Sequence, residues 1–282
     1  MLGKLVKYEF KSLSKILGII WIIIPVLSIL YGIGGRVIYR DGYGGYVNSE
    51  IIELVASVSV TFYAALFMAM AAVTVVIIIM RFYKGVLGNE GYLVHTLPVK
   101  PWQVVTSKGI VATVTVIISA AVALLSIYIM SIIISPQGMF TWTNNLFPEL
   151  FKDATRVAYA IEFLLWMLFS TVATIYQAYA AMSLGQIANK NRVLWSIGAY
   201  LLIDIVSYTI SFALAILGSS SCGLMGFGIF TPIVIGSFDF LNMELSDKVL
   251  LIMLMIIVVQ LVKIAIFHTI TNHVIKHRLN LE

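Results

Sequence analysis

The chain has 282 residues, of which 61% are hydrophobic and 11% charged. A soluble domain carries about 25% charged residues, so these polar groups cannot cover a globule, and at roughly 20 residues per span the length predicts about six helical spans. The net charge of +5 sits in short connections between apolar runs, where it sets topology and gives no sign of a nucleic-acid partner, while a single cysteine, Cys222, excludes an internal disulfide and a cysteine-based zinc site.

Residues 1–15 place Leu2, Leu5, Val6, Phe10 and Leu13 at helical spacing, with Lys4, Lys7, Lys11 and Lys15 on the other side. This predicts a basic amphipathic helix lying in the inner interface. A signal peptide is the competing reading, but the apolar stretch that follows is too long and ends in no A-x-A-like site. A first span over 16–33 follows, with Pro25 as a kink. Gly34 and Gly35, with the Gly/Tyr-rich residues 41–46, read as a loop before a second span over 55–80.

Next comes GNEGYLVHTLPVKP, residues 88–101. It is short and moderately polar, Pro98 and Pro101 interrupt it, and Arg81, Lys84 and Lys108 flank it. That suits a short helix over 88–100 at the cytoplasmic face, placed to be gripped by a soluble partner. Pro101 fits the first turn of a third span that lasts to 134. A loop over 136–155, a fourth span over 158–184, a very short connection over 185–192 and a fifth span over 193–217 follow. A sixth span covers 249–271 and ends in a basic tail. The intervening segment 218–245 is apolar at Leu224, Phe227, Ile229, Phe230 and Ile233, yet Gly223, Gly226, Gly228, Pro232 and Gly236 break it. It reads as a pair of short re-entrant or interfacial helices at the outer face.

Orientation follows from Lys and Arg. With the N-terminus inside, twelve of the eighteen lie in inner segments and five in outer loops, and the outer loops carry most of the acids. Both termini are expected in the cytoplasm. The whole is an all-α integral membrane protein, a single six-span domain over 1–282.

Two charges lie deep in spans. Asp204 in the fifth and Lys263 in the sixth each sit about 11 residues from the inner end, roughly 15 Å in depth. Matching depth suggests an intramembrane charge pair, serving either packing or transport, since unpaired charges there cost about 3 kcal/mol or more. Glu162 lies near the outer end of the fourth span, closer to water.

No G-x-x-x-x-G-K-[ST] loop and no H-E-x-x-H motif occur. His268 and Asn272 match the H-x-x-x-N element of intramembrane CAAX-type proteases, but those enzymes also need adjacent glutamates, and none occur here. His268, His273 and His277 read as part of a basic inner-leaflet terminus. No metal site is expected.

Taken together, these parts resemble the permease subunit of type-2 ABC exporters. The order of parts carries the resemblance over nearly the whole chain, and the most specific local match is Glu90-Gly91-Tyr92-Leu93, then Thr96-Leu97-Pro98-Val99, then Lys108. The resemblance implies that 88–100 is a coupling helix seated in a separate ATP-binding cassette subunit, with Glu90, Gly91, Tyr92, Leu93, His95, Leu97 and Pro98 in contact. It makes 1–15 the connecting helix and 218–245 the outer re-entrant segment. It further implies two ATPase copies, a second and identical permease chain, surrounding lipid, and a bacterial inner membrane. The chain itself needs no cofactor, because ATP and magnesium belong to the partner. Residues such as Met, Tyr, Phe and Trp along a pathway would suit amphipathic peptides, antimicrobial or toxin-like, or lipophilic drugs. An ion-coupled secondary transporter, an intramembrane protease and a membrane anchor or immunity protein without transport are the rival readings.

Overall fold

The computed structural model describes residues 2–42, 49–88, 100–134, 148, 151–188, 191–218, 222–227, 231–236 and 245–277. In chain order the elements are α1 (Leu2–Gly42), α2 (Ser49–Phe82), a π-helical turn (Tyr83–Leu87), α3 (Pro101–Ile134), α4 (Ala154–Gly185) and α5 (Arg192–Gly218). Then come β1 (Cys222–Phe227), β2 (Thr231–Gly236) and α6 (Leu245–His277). Among the described residues α1, α2, α3, α4 and α6 are long and apolar enough to cross a membrane. The chain is thus a multi-pass helical membrane protein. α5 is a further helix of 27 residues.

Three expectations need correction. The helix over 1–15 is not a separate element, because α1 runs unbroken through 41 residues with Pro25 inside it. Gly34 and Gly35 are helical rather than a loop. Glycine weakens a helix by only about 1 kcal/mol, too little to stop one already propagating. The third correction falls on 218–245. Its described stretches are β1 and β2, an antiparallel pair in which Cys222 faces Gly236 and Phe227 faces Thr231, where short helices were expected. Glycine at 223, 226 and 236 and β-branched residues at 231, 233, 234 and 235 disfavour a helix and suit strands. β2 packs against α5.

The chain divides into two compact units. One comprises Gly3–Ile78 and Ile110–Leu150, and the other Met1–Leu2, Ile79–Gly109 and Phe151–Glu282. In the first, α1 and α3 run side by side in the same direction. Leu13 and Leu17 pack with Val111, joined by Trp21 and Ile77. The Trp21 indole N–H donates to the Ser119 hydroxyl at 2.9 Å, and Gly32 lies against Ile133. Tyr63 of α2 meets Tyr31 of α1 at 5.7 Å and Phe67 edge-on at 4.7 Å. In the second unit, α4 packs against both α5 and α6.

Buried serine and threonine hydroxyls in these helices are satisfied locally, whereas the buried Tyr63 hydroxyl finds no partner among the described residues. Ser28 donates to the Pro25 carbonyl, Thr74 to Met70, Thr115 to Val111, Ser126 to Ala123, Ser183 to Tyr179 and Thr271 to Phe267, all at 2.6–2.8 Å. In an apolar medium an unpaired hydroxyl is costly, and the preceding turn supplies the nearest acceptor.

Candidate functional site

The site begins where α2 ends. Its last turn widens into the π-helical turn, closed by the Gly88 N–H donating to the Tyr83 carbonyl at 2.8 Å. Gly88 then leaves in an extended conformation. Such turns are rare and recur at functional sites. The chain returns at Lys100, whose backbone N–H donates to the Gln103 side chain at 3.4 Å. With Pro101 in the first helical position, this is half of a capping box and fixes where α3 starts. The expected partner-contact residues Glu90, Gly91, Tyr92, Leu93, His95, Leu97 and Pro98 lie between these ends, outside the described residues.

The last residue of α2 and the first turns of α3 both pack on one turn of α4. Phe82 stacks on Tyr179 with ring centroids 3.8 Å apart and planes 10° apart. The Tyr179 hydroxyl donates to the Lys108 carbonyl at 3.4 Å. Lys108 is only 6% exposed, and its ammonium covers Gly85, where an added Cβ would lie 2.8 Å from Nζ. A side chain in place of Gly85 would move the lysine's ammonium from its present position. Three residues before Tyr179, Tyr176 hydrogen-bonds with the Thr106 side chain. Its hydroxyl would sit 2.5 Å from any Cβ at Gly109, and His268 of α6 meets the Tyr176 ring edge-on at 5.4 Å.

Between those two tyrosines stands Gln177, 9% exposed. Its amide Nε2 donates to Asp204 Oδ1 of α5 at 2.8 Å. Asp204 is within electrostatic range of Lys263 on α6 and of Tyr200 and Tyr208 on its own helix. Tyr200 and Tyr208 lie four residues to either side of Asp204, so all three share one face of α5. Among the described residues no ion pair of 4.0 Å or less joins Asp204 to Lys263. The carboxylate is held instead by a neutral amide, with the ammonium acting through space.

One turn of α4, Tyr176 to Tyr179, therefore touches Phe82 at the end of α2 and Lys108 and Gly109 in the first turns of α3 on one side, and Asp204 on another. Packed aromatics and hydrogen bonds of this kind transmit strain because close-packed side chains yield little.

The other polar candidates lie apart from this turn. His273 and His277 stack within the last turn of α6, ring centroids 4.7 Å apart. Among the described residues no group of three His, Cys, Asp or Glu side chains converges as metal ligands would. Sequence reasoning missed Gln177, whose one signal was a lone amide in an apolar run. It counted Lys108 among the inner charges and in the resemblance, but not as a buried residue, which the structure makes it. Compared with protein-family models, with curated proteins and with solved structures, the chain finds no match in any of the three.

Proposed function

We propose that this chain is the membrane-spanning subunit of an ATP-driven exporter of the type-2 ABC class. It works as a dimer, each copy engaged by a separate ATP-binding cassette subunit that carries the nucleotide and magnesium. The observation that supports this best is the Tyr176–Tyr179 turn, because it ties the helices on either side of a short, proline-bounded stretch, at Phe82 and Lys108, to a charged residue of α5. A stretch whose motion must reach a transport pathway needs such an anchor, and a plain loop does not.

On this reading α5 is the sixth span, both termini are cytoplasmic and the membrane is a bacterial inner membrane. The twelve-to-five excess of Lys and Arg in the segments on the terminal side supports that orientation. Residues 88–100 form the coupling helix, with Leu93 and Leu97 on one face four residues apart. The cargo is an amphipathic peptide or a lipophilic drug. ATP-driven closure of the cassette subunits pushes the stretch, α4 follows, and the helices holding Asp204 and Lys263 rearrange.

The test is purification with candidate ATP-binding subunits, followed by ATPase and flux measurements on Leu93→Asp/Leu97→Asp. Loss of flux with an intact, folded permease is the expected result. Normal assembly and flux in the double variant would overturn the assignment. The Gln177, Asp204 and Lys263 cluster favours one second reading, an ion-coupled secondary transporter, because such sites use ionisable groups inside the bundle. Flux in proteoliposomes driven by an ion gradient without any ATPase would select it.

A further inference from the structure

His273 and His277 stand four residues apart at the end of α6, and both are exposed. At 100° per residue they lie about 40° apart around the helix, so they share one face. Their ring centroids are 4.7 Å apart, with planes 30° apart. His268 takes no part in this pair. It lies about 180° round the helix from His277 and meets Tyr176 instead.

The separation is the one that a shared metal ion needs. An ion about 2.0–2.1 Å from one nitrogen of each ring, at an angle of roughly 90–110°, sets the ring centres roughly 4.5–5.2 Å apart. One ring is also oriented for the task. His277 Nδ1 lies 3.3 Å from the His273 carbonyl oxygen. That oxygen can only accept, so Nδ1 carries the proton and Nε2 keeps its lone pair. A ligating histidine commonly donates its other ring N–H to a backbone carbonyl in this way. The pair also closes a helix C-terminus, whose free carbonyls carry partial negative charge and favour a cation. Lys276 lies about 60° from His273 around the helix, and it is exposed, so its ammonium can stay in water.

The number and type of ligands decide what such a site can hold. A closed structural zinc centre takes four protein ligands, and among the described residues no third His, Cys, Asp or Glu joins these two. Imidazole suits Zn²⁺, Cu²⁺ and Ni²⁺, whereas Mg²⁺ and Ca²⁺ take oxygen. Two imidazoles on an exposed helix end leave the remaining positions to water or to an incoming group.

We propose that His273 and His277 form an open, two-imidazole site for Zn²⁺ or Cu²⁺ at the end of α6. The ion bridges one turn of helix. Because both nitrogens must keep their helical spacing to hold it, the ion fixes a helix end whose last carbonyls have no helical partner. The site is separate from the Tyr176–Tyr179 turn and does not rest on the export reading.

The experiment uses the purified full-length chain in detergent, freed of any polyhistidine tag, and measures Zn²⁺ and Cu²⁺ binding by calorimetry. One ion per chain is expected, with Cu²⁺ held more tightly than Zn²⁺ and Mg²⁺ not bound. His273→Ala and His277→Ala should each weaken binding at least about tenfold, since loss of an outer partner alone costs about 10–100-fold. Both side chains are exposed, so the variants should keep the native unfolding midpoint without metal. Adding Asn272→His to His273→Ala restores the number of imidazoles but sets them about 140° apart, and binding should stay weak. Zn²⁺ should slow amide hydrogen exchange over 273–277 in the native chain and not in His273→Ala. Native binding no tighter than that of His273→Ala would overturn the proposal, as would full recovery on adding Asn272→His. One ion per two chains would also overturn it, because the ion would then be shared between copies rather than held by one helix.

Discussion

Phe82 and Tyr179 lie flat on one another, 3.8 Å between ring centroids, and are 1% and 2% exposed. The stack joins the last residue of α2 to the middle of the packed half of α4. Two aromatic rings keep a fixed mutual orientation better than aliphatic side chains do, because each is held by few rotatable bonds and a broad contact area. The contact therefore links a helix end to a helix body with little slack.

Replacing Phe82 with Ala should lower stability by about 3–5 kcal/mol, the range for a buried aromatic lost to a cavity. Thermal unfolding in detergent reads this directly. In the proposed exporter, the same variant assayed at a permissive temperature should hydrolyse ATP in the partner while moving less cargo per ATP. A midpoint unchanged from the native chain would show that the stack carries no weight.

Gly109→Ala places a methyl group against the Tyr176 hydroxyl, at a separation of 2.5 Å in the native backbone. Overpacking of this kind costs about 1–3 kcal/mol. Tyr176→Phe removes the oxygen but leaves the ring carbon that bore it, 2.7 Å from the same point, so the double variant should recover only part of the loss. A double variant no better than Gly109→Ala would mean that the strain is relieved elsewhere.

The Gln177 amide and the Asp204 carboxylate should be energetically coupled. Gln177→Leu leaves the carboxylate without its 2.8 Å donor, at a cost of about 1–3 kcal/mol. Asp204→Leu in the same background should then cost less than it does alone, and a double-mutant cycle on thermal stability measures the difference. Pairing Asp204→Leu with Lys263→Leu should give a smaller coupling, since that interaction acts through space. Additivity in the first cycle would contradict the hydrogen bond as a structural contact.

Cys222 is the sole thiol and opens β1. In the proposed orientation it lies on the outer side, so an impermeant maleimide applied to intact cells should label it. Labelling from the cytoplasmic side alone, in inverted vesicles, would reverse the topology.

The helical body was readable in the chain because apolar length is a strong signal. The start of α3 at Pro101 and the short link before α5 follow directly from proline and from the Asn and Lys residues around 189–192. In that link Asn191 takes a left-handed φ of 53°, which asparagine tolerates better than most residues. The continuity of α1 was not readable, since an amphipathic turn and an apolar span share one period and differ only in what surrounds them. The β1–β2 pair was hidden because glycine and proline mark a broken helix and a strand turn equally well. The Tyr176–Tyr179 turn left little trace, because tyrosines and a single glutamine in an apolar run look like ordinary packing. Only the folded arrangement shows that three consecutive directions around one helix serve three different neighbours. Of the residues expected to meet a partner, Glu90 to Pro98 fall outside the described residues, while the supports on either side do not.

The π-helical turn at Tyr83–Leu87 also sets how the chain tolerates insertion and deletion. A π turn holds one residue more than an α turn over the same span, closing its ring five residues back rather than four. Deleting one residue within 83–87 would let the backbone relax to ordinary α geometry and rotate everything beyond it by about 100°. The residue covered by the Lys108 ammonium would then no longer be Gly85. Single-residue length changes here should therefore be far more harmful than equal changes near the end of α1, even though both lie at the end of a long apolar helix.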